Sequence, residues 1–130
     1  MDSIVALCAE ALQACPGVIF AYLFGSLAQG TALPFSDVDI AVYVDECADV
    51  VMMRLDLCER LVDCLGSDRV DVAVLNTAPL TLKARVVRCN RILVDRKPSD
   101  RHAFESLVLR EYFDFSRVEE AILRRRFGIG

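Results

Sequence analysis

The sequence contains no uninterrupted apolar run of the roughly 18 residues that a membrane-spanning helix requires. No segment resembling a signal peptide precedes the first predicted helix, so we expect a cytoplasmic protein that makes no use of a membrane. Hydrophobic residues make up 55% of the 130 residues and charged residues 26%, a balance that excludes an intrinsically disordered chain. The length suits one compact domain, and we predict a single domain over residues 1–130.

Positive charge is also in short supply, because 15 Lys and Arg residues against 19 Asp and Glu residues leave a net charge of −4. Such a chain has no overall field that would attract a nucleic acid backbone. The local run Arg124, Arg125 and Arg126 is interpreted as complementing the carbonyl end of a last helix. We therefore expect no direct binding to nucleic acid.

Spacings typical of zinc sites are absent as well. The six cysteines form no Cys-x-x-Cys pair, and the single histidine, His102, has no spaced cysteine partners. Most of the cysteines fall at apolar positions of helical patterns, so we interpret them as small core residues in a reducing compartment.

Helical and strand patterns, in contrast, alternate clearly along the chain. Apolar residues recur at helical spacing over 3–15, 49–65 and about 80–89, and again after Pro98. Runs rich in β-branched and aromatic residues predict strands over 18–24, 37–44, 69–75 and 91–95. The interleaving predicts an α/β or α+β domain with helices packed on a sheet of three to five strands.

Two predicted helices have apolar faces large enough to contact the core or a partner. The helix over 49–65 carries two adjacent apolar stripes, a wide face that is either buried in the core or partly used as an interface. The last helix keeps a spacing that predicts one core-facing stripe, formed by Phe104, Leu107, Val108, Tyr112, Phe115, Val118 and Ile122.

Three acids interrupt two of the predicted strands. Alternation along a strand puts Asp37 and Asp39 on one face, and it puts Asp71 on one face of the strand that begins near Arg69. If the two strands are neighbours, the three carboxylates converge. Two carboxylates ~4 Å apart at an effective dielectric of ~20 repel by ~4 kcal/mol, so this cluster needs cations. Oxygen ligands in this number suit Mg²⁺ or Mn²⁺.

A Gly25-Ser26 turn precedes the acids and completes a possible phosphate site. Glycine lets the backbone approach a bound anion, and the serine hydroxyl and neighbouring amides can donate to phosphate oxygens. Taken singly, each feature also has a plain structural explanation: Asp37 as a loop cap, Asp71 as a partner of Arg69 or Arg85, and Gly25-Ser26 as an ordinary turn. Their order and spacing together favour the catalytic interpretation.

Gly25-Ser26, ten residues, and then Asp37-Val38-Asp39 resembles the motif of the nucleotidyltransferase superfamily that includes DNA polymerase beta. The later Asp71 in "VDVAVL" extends the likeness to the short stand-alone members, the minimal nucleotidyltransferases. The resemblance implies the nucleotidyltransferase fold, with a mixed sheet flanked by helices. It also implies that Asp37 and Asp39 bind two metal ions, that Asp71 binds the catalytic one and helps ionise the acceptor, and that Gly25 and Ser26 hold the triphosphate.

Short members of this kind are commonly paired with an all-helical HEPN protein that is an RNase toxin. The resemblance therefore implies an antitoxin that transfers AMP from ATP, with Mg²⁺ or Mn²⁺, to a tyrosine of this toxin and forms a hetero-oligomer with it. Two alternatives stay open: neutralisation by binding and occlusion alone, and transfer to a small molecule or RNA. Spacing does not separate the cations that could bind the triphosphate, which are Lys83, Arg85, Arg88 and Arg91.

Overall fold

A computed structural model describes residues 2–30, 37–46 and 48–127 of the protein. Over these residues the elements are α1 (Asp2–Gln13), β1 (Val18–Phe24), α2 (Ser26–Gln29), β2 (Val38–Val44), α3 (Val50–Leu65), β3 (Val70–Val74), α4 (Leu80–Arg88), β4 (Arg91–Asp95) and α5 (Pro98–Phe127). Every helix and strand expected from the sequence is present. The four-residue α2 is an addition, because so short a segment carries no periodicity. Cys47 and the loop around Pro34 and Ser36 lie outside the described residues.

The four strands form one mixed sheet in the order β3-β2-β1-β4. β1 pairs antiparallel with both β2 and β4, whereas β2 and β3 run parallel. A parallel pair needs a crossover connection, and α3 supplies it between β2 and β3. The predicted mixed sheet flanked by helices is confirmed.

The two faces of the sheet bury different kinds of side chain. One face is aliphatic, and Leu12 of α1 and Leu61 of α3 pack on its valines and isoleucine. The other face is aromatic, and Val86 of α4 packs on it beside Phe104 of α5. Alternation along β2 produces the division, since Ile40 faces the aliphatic side and Ala41 the aromatic side.

Local hydrogen bonds fix the ends of the helices that frame the sheet. The Asp49 side chain accepts from the amides of Val51 and Met52 and so caps the start of α3. Gly66 ends the same helix with φ 67°, a left-handed conformation that favours glycine. At the other edge, the Arg96 guanidinium donates to the carbonyl of Gln13, the last residue of α1, and to the Cys15 carbonyl at 2.7 Å.

Helix α5 is anchored to the sheet by its first half only. Tyr22 donates its hydroxyl proton to Glu105 at 2.8 Å, and Arg101 lies 3.0 Å from carboxylate oxygens of both Asp95 and Glu105. The predicted core-facing stripe holds for Val108, which is 2% exposed, but is wrong for its neighbour Leu107, which is 50% exposed.

The same prediction is wrong for the second half of α5, where Phe115, Val118 and Ile122 are 48%, 59% and 56% exposed. The reason is length: a 30-residue helix spans about 45 Å, whereas a five-residue strand spans about 17 Å. The helix therefore continues beyond the sheet that would cover its apolar face.

The wide apolar face of α3 is partly buried in the core and partly exposed. Leu57 and Leu61 are buried, while Val51, Met52 and Leu55 are 67%, 53% and 59% exposed.

Among the described cysteines, Cys8 and Cys15 are core residues as predicted, but Cys64 is exposed. Within 2–30, 37–46 and 48–127, no helix is both long and apolar enough to cross a bilayer.

Candidate active site

One end of the sheet collects the acids and the glycine-serine turn singled out in the sequence. β1 ends at Phe24, directly before Gly25 and Ser26, and Phe24 is the cross-strand partner of Asp39 in β2. Asp39 is in turn paired in register with Asp71 of the parallel strand β3. Antiparallel β1 ends where β2 and β3 begin, so the glycine-serine turn and the acids share this edge.

Gly25 makes room for the carboxylate of Asp39. Its backbone has φ 76° and ψ −155°, a conformation open almost only to glycine. A Cβ placed on Gly25 would lie 2.4 Å from Asp39 Oδ2, a contact that forces something to move. The turn was predicted for the approach of a bound anion, and the structure adds close packing against the acid itself.

Ser26 begins α2, a helix with no side-chain cap. Gly25 precedes it and has no side chain that could accept from the first amides of the helix. The first amides of α2 therefore receive no cap from the residue before the helix, which is the glycine that packs against Asp39. Donors in such a position suit an anionic oxygen, which fits the phosphate role predicted for Gly25 and Ser26.

Asp39 experiences both burial and repulsion. Burial raises the pKa of its carboxyl above the usual 3.8, and the neighbouring carboxylates of Asp71 and Asp37 raise this pKa further. Arg85 acts in the opposite direction and lowers it. The three acids thus interact electrostatically across the edge, and their ionised forms need a cation near Asp39.

The donor set fits a hard divalent cation, although the acids do not form a closed cage. Asp37 and Asp71 are exposed, and Oδ1 of Asp71 lies 3.8 Å from the Arg54 guanidinium. In the part of the chain that the structure describes, no three His, Cys, Asp or Glu side chains already converge in a metal-binding group. Carboxylate oxygens with open positions between them suit Mg²⁺, which keeps several waters and binds through one or two carboxylates.

Arg85 is the cation of this site that the sequence did not single out. Its guanidinium lies 5.9 Å from the centre of the Phe24 ring, next to the glycine-serine turn, and it acts electrostatically on Asp39. Arg88, one helical turn further, instead lies over the Tyr112 ring at 5.5 Å. Only the packing of α4 against β1 distinguishes the two arginines, and no spacing in the sequence carries that information.

The geometry can hold a divalent cation and a polyphosphate at one edge, beside an exposed carboxylate that can accept a proton. With the mixed sheet, this arrangement is that of a nucleotidyltransferase fold. Residues 7–99 match the profile of the family described as polymerase beta, nucleotidyltransferase. That span is most of the chain, so the protein belongs to the polymerase beta-type nucleotidyltransferase family.

Several known proteins are similar to this chain. It is 40% identical over 72 residues to the protein adenylyltransferase MntA of Shewanella oneidensis, and the match covers 55% of this chain and 50% of that protein. The chain therefore aligns with about half the length of this curated relative.

Solved structures match over nearly the whole chain. One chain of a toxin–antitoxin crystal structure with AMP-PNP has a TM-score of 0.76 and 29% identity, covering 95% of this chain and 98% of that one. A second match is to a chain of the complex between a tri-AMPylated HEPN toxin of Shewanella oneidensis and its MNT antitoxin. Its TM-score is 0.71 at 25% identity, and the match covers 97% of this chain and 98% of that one.

Proposed function

We propose that this protein is a protein adenylyltransferase that transfers AMP from ATP to a tyrosine of an all-helical HEPN-type toxin and thereby acts as its antitoxin. The observation that carries the proposal is the in-register pair Asp39 and Asp71 beside Gly25-Ser26. The similarity to chains solved with AMP-PNP and with an AMPylated HEPN toxin supports the nucleotide and the partner.

The positions of the residues support a role for each of them in this proposal. Asp37 and Asp39 would hold Mg²⁺ or Mn²⁺, and Asp71 would share the ion nearest the acceptor. When bound there, such ions would supply positive charge that neutralises phosphate oxygens and stabilises a leaving pyrophosphate. The backbone at Gly25 and Ser26 would bind the triphosphate, with Arg85 as a further cation.

The transfer itself requires one bond to form and one to break. The tyrosine oxygen attacks the α-phosphorus of ATP and forms the new P–O bond, while the bond from this phosphorus to the bridging oxygen breaks and pyrophosphate leaves. Asp71 accepts the phenolic proton, since its carboxylate is exposed and lies beside Asp39 in the sheet.

Residues 1–130 would act as one domain, together with the toxin in a hetero-oligomer. We place this activity in the cytoplasm, where ATP is available and free thiols such as Cys64 stay reduced.

Intact mass spectrometry of the partner tests the proposal. Purified protein, ATP and Mg²⁺ are mixed with the cognate HEPN protein, and we expect one or more AMP additions that map to a tyrosine. A matched reaction with the Asp37→Asn, Asp39→Asn double variant should leave the partner unmodified. An unmodified partner in the wild-type reaction would contradict the proposal, and pyrophosphate release without any protein acceptor would favour a small-molecule or RNA substrate.

Neutralisation by binding alone is the second candidate, favoured by the exposed apolar second half of α5. Phe113, Phe115, Val118 and Ile122 are between 48% and 59% exposed there, enough surface to contact a partner. The same double variant separates the candidates, because it removes the acids and leaves α5 untouched. Full neutralisation of the toxin by this variant would support occlusion, and loss of neutralisation would support transfer.

A further inference from the structure

A groove runs along the free edge of β3 and reaches the proposed active site. Its volume is about 690 Å³, and its walls come from α3, β3 and the start of α4. We call it the edge groove and define it by Val51, Arg54, Leu55, Asp71, Val72 and Leu82. Because Asp71 belongs to its wall, a molecule that lies in the groove is in contact with one of the proposed catalytic acids.

The α3 wall of the edge groove is apolar and exposed. Val51 and Leu55 lie one helical turn apart, so their side chains stand on one face of α3, and they are 67% and 59% exposed. Isolated exposed apolar residues are common, but two adjacent ones that line a groove beside an active-site acid indicate a contact surface.

The floor of the groove is a strand edge with outward-facing backbone groups. The Arg69 carbonyl accepts from Val38 and the Leu75 amide donates to Val42, so odd-numbered residues of this strand face β2. The even-numbered residues, Val70 and Val72 among them, therefore direct their backbone groups away from β2. β3 is the outermost strand on this side, and such an edge can pair with an added strand.

Arg54 occupies this edge in the free protein. Its Nε donates to the Val72 carbonyl at 2.9 Å, and the same guanidinium lies 3.8 Å from Asp71. The guanidinium satisfies an edge carbonyl that would otherwise invite unspecific pairing. An incoming strand that donates to Val72 takes over this hydrogen bond and releases Arg54.

We propose that the edge groove receives the acceptor segment of the partner protein as an extended peptide paired with β3. Side chains of an added strand alternate between two directions. Asp71 lies on the same face of the sheet as Asp39, whereas Val72 lies on the face that α3 covers. The acceptor tyrosine therefore points toward Asp71, and the residues directly before and after it are apolar and contact Val51 and Leu55.

This inference rests on the proposed function and is tested with two variants of one helix. Leu55→Glu places a charge in the groove, while Met52→Glu places the same charge on an exposed residue, 53% accessible, that does not line it. We expect Leu55→Glu to raise the KM for the partner protein about tenfold or more, with the affinity for ATP unchanged, and Met52→Glu to behave as wild type.

The outcomes separate the inference from the function on which it rests. Wild-type protein that modifies no partner overturns both. If wild type is active and Leu55→Glu has an unchanged KM, or if Met52→Glu raises KM equally, the groove is not the docking site. Circular dichroism melting of both variants checks that the two are equally folded.

A second measurement addresses the strand pairing itself. Hydrogen–deuterium exchange at the amides of Val70 and Val72 should slow when a synthetic peptide covering the acceptor tyrosine is added, because an added strand takes these amides as donors. Replacing the residue next to the tyrosine by Glu should abolish the protection, and the same change two residues away should not. Unchanged exchange at saturating, reactive peptide would exclude strand addition.

Discussion

Asp39 of β2 and Asp71 of β3 are neighbours in one sheet, but the first is partly buried and the second is exposed. Asp39 belongs to an inner strand, packs against Gly25 and has a pKa raised by burial and by two other carboxylates. Asp71 is its in-register partner on an edge strand, where its side chain is 67% exposed and within reach of Arg54. This difference in environment supports the two proposed roles, in which the inner acid would hold a cation and the nucleotide and the outer acid would meet the acceptor.

Replacing the inner acid should have the largest effect. We expect Asp39→Asn to lower the rate of AMP transfer about 10²- to 10³-fold, the loss typical of removing a charge-stabilising group from an active site. Partner modification over time measures it. Asp71→Asn should also slow transfer, but with the affinity for ATP retained.

In the absence of metal, Asp39→Asn should increase the stability of the protein although it lowers the rate of transfer. A raised pKa means that folded Asp39 holds its proton more tightly than unfolded Asp39, so its favourable contribution is complete below the unfolded pKa and is lost as pH rises through the folded pKa. At neutral pH the ionised carboxylate is therefore a net cost. Asp39→Asn should melt higher than wild type in EDTA at pH 7, whereas a lower melting temperature would contradict the repulsion described here.

Substituting Gly25 should break the contact that distinguishes the inner acid. Gly25→Ala combines a backbone conformation that costs ~1–3 kcal/mol for other residues with a Cβ that meets Asp39. Gly30→Ala is the matched control, because Gly30 also has positive φ but no atom of the described residues lies within 4 Å of its Cβ position. We expect the first to lose both stability and activity, and the second to lose only ~1–2 kcal/mol of stability. Equal losses of activity would show that Asp39 does not depend on Gly25.

Removing the positive charge of Arg85, which lies near Asp39, should weaken the binding of ATP. We expect Arg85→Gln to raise the KM for ATP about tenfold, since a charge-assisted contact to phosphate is worth ~1.5–3 kcal/mol. Arg88→Gln, one turn along α4 and directed at Tyr112, should leave this KM unchanged. Initial rates at varied ATP distinguish the two arginines.

Releasing the outer acid from its arginine should have the smallest effect. Arg54 and Asp71 are 57% and 67% exposed, and exposed ion pairs contribute about 0–1 kcal/mol. We expect Arg54→Ala to change the melting temperature by at most a few degrees and to keep transfer within a few-fold of wild type. A complete loss of transfer would mean that Arg54 has a role beyond covering the strand edge.

Much of the fold could be predicted because its elements are long enough to show a period. Runs of β-branched residues predict the strands, and helical spacing predicts α3, which ends at Gly66, and α4, which begins after Pro79. The error on α5 has the opposite origin. Periodicity in Phe115, Val118 and Ile122 indicates an apolar face, but whether that face is covered depends on where the sheet ends.

For the candidate site, the sequence by itself determined the chemistry: three carboxylates, a glycine-serine turn, and the alternation that puts Asp37 and Asp39 on one face of their strand. Tertiary structure decided the rest. The parallel register of β2 and β3 brings Asp71 beside Asp39, the packing of α4 brings Arg85 to Phe24, and the strand order leaves Asp71 on an open edge. Neighbouring residues dictate local conformation through short-range sterics and hydrogen bonds, whereas strand order and helix docking arise from burying distant apolar faces together.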